Sequence, residues 1–176
     1  ILDSEKILSF VHQNPSPSAP ADLHWLVCPS RNRPVAAYQA LCGMLDDLQA
    51  HGHSLPSVAL ADNSPDPAVN AQYHDMLGQI QKKYLLSAWH AHPQSLRDYA
   101  SQLAQAADLS PALTEFCLLD PLQTGFTCGA SRNALLLQTL GQASASIDDD
   151  ILLNTHRLGD DSWRFAGLFG SKHWPH

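Results

Sequence analysis

Residues 23–61 read LHWLVCPSRNRPVAAYQALCGMLDDLQAHGHSLPSVALA, and their reading decides the fold. LHWLVC (23–28) is a short apolar run closed by Pro29, the pattern of a buried strand. Pro34 suits a first helical turn, apolar residues then recur at helical spacing, and Gly52 suits the stop, so a helix is expected over 34–52. SVALA (57–61) is a second buried strand. Two apolar strands joined by a helix of this length predict a parallel pair with a crossover connection.

The alternation continues outward. AVNAQYHDMLGQIQKKY (68–84) predicts a helix with Lys82 and Lys83 in its last turn, where cations oppose the helix dipole. LLSAW (85–89) predicts a third strand, and SLRDYASQLAQAA (95–107) a third helix. TEFCLL (114–119) reads either as a strand or as a helix continuing from SPAL. SRNALLLQTLG (131–141) predicts a helix and ASASI (143–147) a short last strand. The expected class is α/β, a mostly parallel central sheet with helices on both faces. Upstream, Ser4–Gln13 reads as a short amphipathic helix, and NPSPSAP (14–20) as a linker in which three prolines prevent helix. The expected organisation is therefore a helix and linker over 1–20, the α/β domain over 21–150 and a tail over 151–176.

Hydrophobic residues make up 44% and charged residues 15% of the 176, the balance of an ordinary globular chain. No apolar run reaches the roughly 18 residues of a membrane span, and no basic-then-apolar leader is seen. The net charge is −7 and the cations form no stripe, which argues against nucleic acid or an anionic membrane as partner. Cys28, Cys42, Cys117 and Cys128 form no CxxC pair; Cys28 and Cys42 sit in apolar runs and read as buried thiols. A reduced, cytoplasmic protein is expected.

Ligands of open parallel sheets bind beyond the carboxyl ends of the strands. The unusual polar residues collect there: PSRNRP (29–34) after the first strand, DNS (62–64) after the second and DDD (148–150) after the last. Asp148 and Asp150 share a direction if the strand pleat continues through them, and Asp149 opposes them. Like charges about 4 Å apart repel by roughly 4 kcal/mol at an effective dielectric near 20, so three adjacent carboxylates call for a cation or for open solvent. The two readings are a site for Mg²⁺ or Mn²⁺ that also holds a diphosphate, and a solvated acidic turn. Asp62 and Asn63 could bond a base or ribose, or belong to turn and cap chemistry. Arg31, Arg33 and Arg132 could clamp phosphate or stack on a base, or each be a surface arginine, the reading favoured for Arg33. Gly125 and Gly129 would allow close backbone approach before a helix N-terminus, without a GxGxxG or Walker pattern. HGH (51–53) and HAH (90–92) lack matching cysteines or carboxylates for a metal site, and Ser30 and Ser131 lack a triad context.

In order along the chain, a strand leads into CPSRNRP, a strand into ADNSPD, a glycine loop into GASRN opening a helix, and a strand into IDDD. This order resembles the nucleotide-sugar-binding, N-terminal part of a family 2 glycosyltransferase of the GT-A fold, over residues 23–150. The resemblance implies that Pro29, Ser30 and Arg31 wrap the nucleotide of a uridine-type donor and that Asp62 contacts the base. It implies that Arg132 and Asn133 lie near base and ribose, and that DDD is a DXD-type motif. In that motif Asp148 approaches the ribose, Asp150 binds the divalent cation, with Asp148 beside it, and Asp149 supports them. The implied reaction moves a sugar from a nucleotide-diphosphate-sugar to a hydroxyl acceptor, a glycan, lipid or small molecule.

Two departures stand beside the likeness. Residues 90–130 are longer than the pattern requires and are expected to hold an extra helix pair. The tail 151–176 offers Asp160 and Asp161 but is short for an acceptor part, so no general base is assigned and the acceptor part is expected to be truncated or to lie elsewhere. Its aromatics Trp163, Phe165, Phe169 and Trp174 need a surface to cover them. A donor-binding or assembly module without catalysis is the alternative. A sugar nucleotidyltransferase ranks lower, because CPSRNRP lacks the glycine-rich loop such enzymes use.

Overall fold

The computed structural model describes residues 22–122 and 128–151; the expected helix over 4–13, the linker over 14–20, Gly125 and the tail from 152 onward lie outside them. The described residues form strands β1 (Trp25–Ser30), β2 (Ser57–Asp62), β3 (Ala88–Ala91) and β4 (Ser144–Ser146). The helices are α1 (Pro34–Ala50), α2 (Pro67–Tyr84), α3 (Pro93–Ala106), α4 (Pro111–Leu118) and α5 (Cys128–Gln138). The sheet runs β3-β2-β1-β4, with every pair parallel. The chain is thus an α/β protein with an all-parallel sheet, as the alternation of patterns predicts.

Each face of the sheet has its own core. Leu26, Cys28, Val58 and Leu60 face α1 and α2, meeting Leu41, Leu45, Tyr73 and Ile80. Val27, Ala59, Ala61 and Ala91 face the other way and meet Leu96 of α3, Leu118 of α4 and Leu135 of α5. This alternation is the strand pleat, and helices on both sides explain why β1 and β2 are apolar without interruption. Fully buried leucines such as Leu41 and Leu45 contribute about 2 kcal/mol each against the entropy of ordering the chain.

Two strand boundaries move in ways that bear on the site. β1 does not stop before Pro29 but runs to Ser30, in register with Asp62. Asn63 N–H donates to the Ser30 carbonyl (3.3 Å) and Ile147 N–H to the Val27 carbonyl (2.9 Å), so even positions of β1 face β2 and odd positions face β4. Pro29 therefore aims its missing N–H at β4, where the ladder ends at Val27↔Ser146. The proline keeps its place in the strand and releases β4, whose chain turns away immediately afterwards.

The third strand lies at 88–91 rather than 85–89. Leu85 ends α2 in the left-handed conformation (φ 55°) and is 91% exposed, so strand pairing begins only at Ala88. This shift brings His90 beside Leu60. TEFCLL takes its helical alternative within α4, which packs beside α3, the third helix expected from SLRDYASQLAQAA; the described part of 90–127 thus holds one helix beyond it. No described helix is long and apolar enough to cross a membrane.

Candidate functional site at the carboxyl edge of the sheet

The strand order reverses between β1 and β4, the position at which open parallel sheets receive ligands. The loop that leaves β1 there is tightly specified. Asn32 takes a left-handed conformation (φ 57°), which asparagine tolerates better than most residues. Asn32 N–H donates to Ser64 Oγ (2.8 Å), and Ser64 Oγ–H donates to Asp62 Oδ1. Arg33 N–H donates to Tyr73 Oη (2.9 Å), which pairs with Ser30 Oγ (2.6 Å), and Ser30 Oγ–H donates to Asp149 Oδ2 (2.6 Å). An ionised carboxylate only accepts, so the single proton of Ser30 goes to Asp149, and Tyr73 must donate to Ser30.

Two relays thus start at neighbouring backbone amides, pass through hydroxyls and end on carboxylates. The first ends on Asp62, which is fully buried. Its Oδ1 also accepts from Ser64 N–H (2.7 Å), and its Oδ2 accepts from Asn70 Nδ2 (2.8 Å). The second relay ends on Asp149, whose side chain is only 12% exposed. Buried carboxylates require such donors, because desolvation of an unsatisfied charge is costly.

The acidic turn breaks the pleat. β4 ends at Ser146, and Ile151 N–H returns to the Asp148 carbonyl (3.3 Å), so Asp148–Asp150 curl instead of alternating. Asp149, expected to oppose its neighbours, is the aspartate drawn inward to Ser30. Asp148 pairs with Arg132 Nη2 (2.6 Å), both about half exposed. Arg33 Nη1 lies 3.2 Å from Asp149 Oδ1 and 3.8 Å from Asp150 Oδ2, and Asp150 is 71% exposed. Two guanidinium groups therefore offset three carboxylates at this turn.

The remaining candidates are distributed as follows. Pro29 is buried in β1, and Arg31 is half-buried just beyond it. Asn63 Nδ2 donates to the buried Ser131 Oγ (2.7 Å), tying the β2 loop to α5. Asn133 faces elsewhere, its Nδ2 bonding the Cys117 carbonyl on α4 (3.0 Å). Gly129 lies in the first turn of α5, and a Cβ there would meet no described protein atom within 4 Å. Asp66 caps α2 through Ala68 N–H (2.8 Å), the capping role considered for this loop, while Asp62 builds the turn.

Electrostatics assign passive roles to two further groups. Burial, reinforced by the charges of Asp149 and Asp148, pushes the Cys28 thiol up to about 12, so it stays protonated at neutral pH and is no nucleophile. Burial also raises the Tyr73 hydroxyl above its ordinary value, keeping it available as a donor to Ser30. Tyr73 escaped the sequence reading because nothing distinguished it from other apolar positions of its helix. His90, weighed in sequence only as part of HAH, lies with its ring against Tyr73 and His92, and its buried Nε2, 3.8 Å from Asp62 Oδ2, makes no hydrogen bond among the described residues.

Among the described residues, no three His, Cys, Asp or Glu side chains gather into a metal-binding group. A shallow groove between α3 and α4, lined by Arg97, Gln105, Thr114 and Glu115, lies on the opposite face from α1 and α2 and takes no part in the site. Fold and edge site together define an α/β protein of Rossmann-like architecture whose polar residues converge at the strand-order reversal. The chain matches no protein-family model, no curated protein and no solved structure.

Proposed function

We propose that this chain is the donor-binding part of a metal-dependent glycosyltransferase, which moves a sugar from a nucleotide-diphosphate-sugar, of uridine type, to a hydroxyl acceptor. One observation carries the reading. Segments distant in sequence, namely the β1 loop with Ser30 and Arg33, the α5 start with Arg132, and the acidic turn, meet at the reversal of strand order. The resemblance of CPSRNRP, ADNSPD, GASRN and IDDD to family 2 glycosyltransferases names the chemistry.

The residues suit a hard divalent cation, Mn²⁺ or Mg²⁺. Asp150 and Asp148 are the open carboxylates of the turn. Two carboxylates are a common protein share for Mg²⁺, which takes its other ligands from phosphate oxygens and water. When bound, the cation would stabilise charge on the departing nucleotide diphosphate. The protein's own groups divide the labour. Pro29, Ser30 and Asp62 are buried and shape the loops, whereas Arg31, Asn63, Arg132, Asp148 and Asp150 are open enough to meet a ligand.

Calorimetry with UDP, GDP and dTDP in the presence of Mn²⁺ tests the reading, with UDP expected to bind and to lose affinity when the metal is chelated. Failure of all three nucleotides to bind with metal present rejects it. Nucleotide binding without sugar transfer or donor hydrolysis, in a chain carrying every encoded residue, would instead assign a binding or assembly module. Release of pyrophosphate from a nucleoside triphosphate and a sugar phosphate would assign a nucleotidyltransferase.

A further inference from the structure

Arg33 already does in the free protein what a divalent cation would do in the loaded one. Its guanidinium sits between Asp149 and Asp150, at 3.2 and 3.8 Å. The two carboxylates differ in freedom. Asp149 is mostly buried and keeps its second oxygen on Ser30, a partner independent of Arg33. Asp150 has 71% of its side chain exposed, and Arg33 57%. The backbone of Arg33 is pinned independently, through Tyr73, so its side chain can leave without dismantling the loop.

A divalent cation at Asp150 would stand next to the guanidinium as a like charge, and the two compete for the same carboxylate. An anion at the start of α1 would give the displaced side chain a new partner. Arg33 is the residue before Pro34 at the start of α1, a helix of 17 residues whose N-terminal end favours anions. A guanidinium presents a planar fork that matches phosphate oxygens. We infer, resting on the donor-site reading above, that Arg33 is an exchangeable counter-ion: it pairs with Asp149 and Asp150 in the free protein, yields Asp150 to the divalent cation that Asp148 also holds, and turns to the donor's diphosphate. The site then selects nucleoside diphosphates over monophosphates, because a monophosphate lacks the second phosphate that the cation and the freed arginine would share.

The test compares the wild-type chain with Arg33→Gln and Arg33→Lys. Mn²⁺ alone should bind Arg33→Gln roughly thirtyfold more tightly than wild type, the factor expected when a unit charge about 4 Å from a divalent ion is removed at the dielectric of water. With Mn²⁺ saturating, UDP should bind Arg33→Gln about tenfold more weakly, while UMP binds equally to both. Arg33→Lys keeps the charge but not the fork, so its Mn²⁺ affinity should match wild type while its UDP affinity falls. Equal or weaker Mn²⁺ binding by Arg33→Gln, or equal losses for UDP and UMP, overturns the exchange and leaves the donor site standing. Absence of Mn²⁺-dependent UDP binding in wild type overturns the donor-site reading itself, and this inference with it.

Discussion

The two edges of the sheet both carry a carboxylate, a cation and a tyrosine, yet they are built differently. At the edge where strands begin, Asp46 near the end of α1 accepts from Tyr84 Oη (2.7 Å) and pairs with Lys83 Nζ (3.3 Å) at the end of α2. That cluster joins two neighbouring helices, and Tyr84 also reaches the Cys42 carbonyl (3.2 Å). At the edge where strands end, Tyr73 leads through Ser30 to Asp149, and Arg33 spans two aspartates. There the contacts bind the β1 loop to a turn more than a hundred positions later in the chain. The first cluster fastens packed helices at their exposed rim. The second holds loops in one arrangement and leaves Asp150 open, which is the preorganisation a ligand site needs.

The sharpest break in this contrast is Asp62→Ala. It strips Ser64 and Asn70 of a buried acceptor, and should lower stability by about 3 kcal/mol, read as a shift in urea midpoint. Asp150→Ala should do the reverse. Its stability stays within about 0.5 kcal/mol of wild type, whereas Mn²⁺-dependent UDP affinity drops about a hundredfold by calorimetry. Ser30→Ala cuts the relay to Asp149 and should cost about 1.5 kcal/mol while weakening UDP binding in step; unaltered UDP binding would mark Ser30 as purely structural.

Tyr84→Phe, on the opposite edge, should cost about 1 kcal/mol and leave UDP binding unchanged. It also carries a pH signature. The Tyr84 hydroxyl holds the Asp46 carboxyl below its ordinary 3.8, against the effect of burial and with help from Lys83. A depressed carboxylate contributes stability that is present above its unfolded value and is lost as pH falls through the folded one. In Tyr84→Phe the Asp46 carboxyl should move back up toward 3.8, so less stability is lost on acidification and the loss is complete at higher pH, and a carbon-13 titration of the carboxyl would register the move.

Much of the fold was legible because burial on both faces leaves a mark that needs no partner to interpret. Leu26–Cys28 and Val58–Ala61 could be read as strands from their uninterrupted apolar character, α1 from its proline start and helical spacing, and α2 from its pattern with Lys82 and Lys83 in the last turn. The errors fell where a local rule met a tertiary exception. Pro29 would end an isolated strand, but here its missing N–H points to the side where pairing is over. LLSAW is apolar enough for a strand, but α2 needs Leu85 for its final turn, which delays pairing to Ala88.

The site shows the same division. Its location was readable, since PSRNRP, DNS and DDD each follow a strand and parallel strands align their ends. Which aspartate turns inward was not, because the pleat that predicts Asp148 and Asp150 on one side ends at Ser146. Nor was the rank of Arg33, unremarkable in sequence until Asp149 and Asp150 fold back onto it.

Residue pattern thus dictated alternation, the parallel sheet and the edge where polar residues gather, since each follows from hydrophobic period and chain connectivity. Folding in three dimensions chose the partners. Hydrogen bonds and ion pairs act over about 3 Å, a proximity that Ser30, Arg33, Tyr73 and Asp149 reach only after the helices have packed on the sheet.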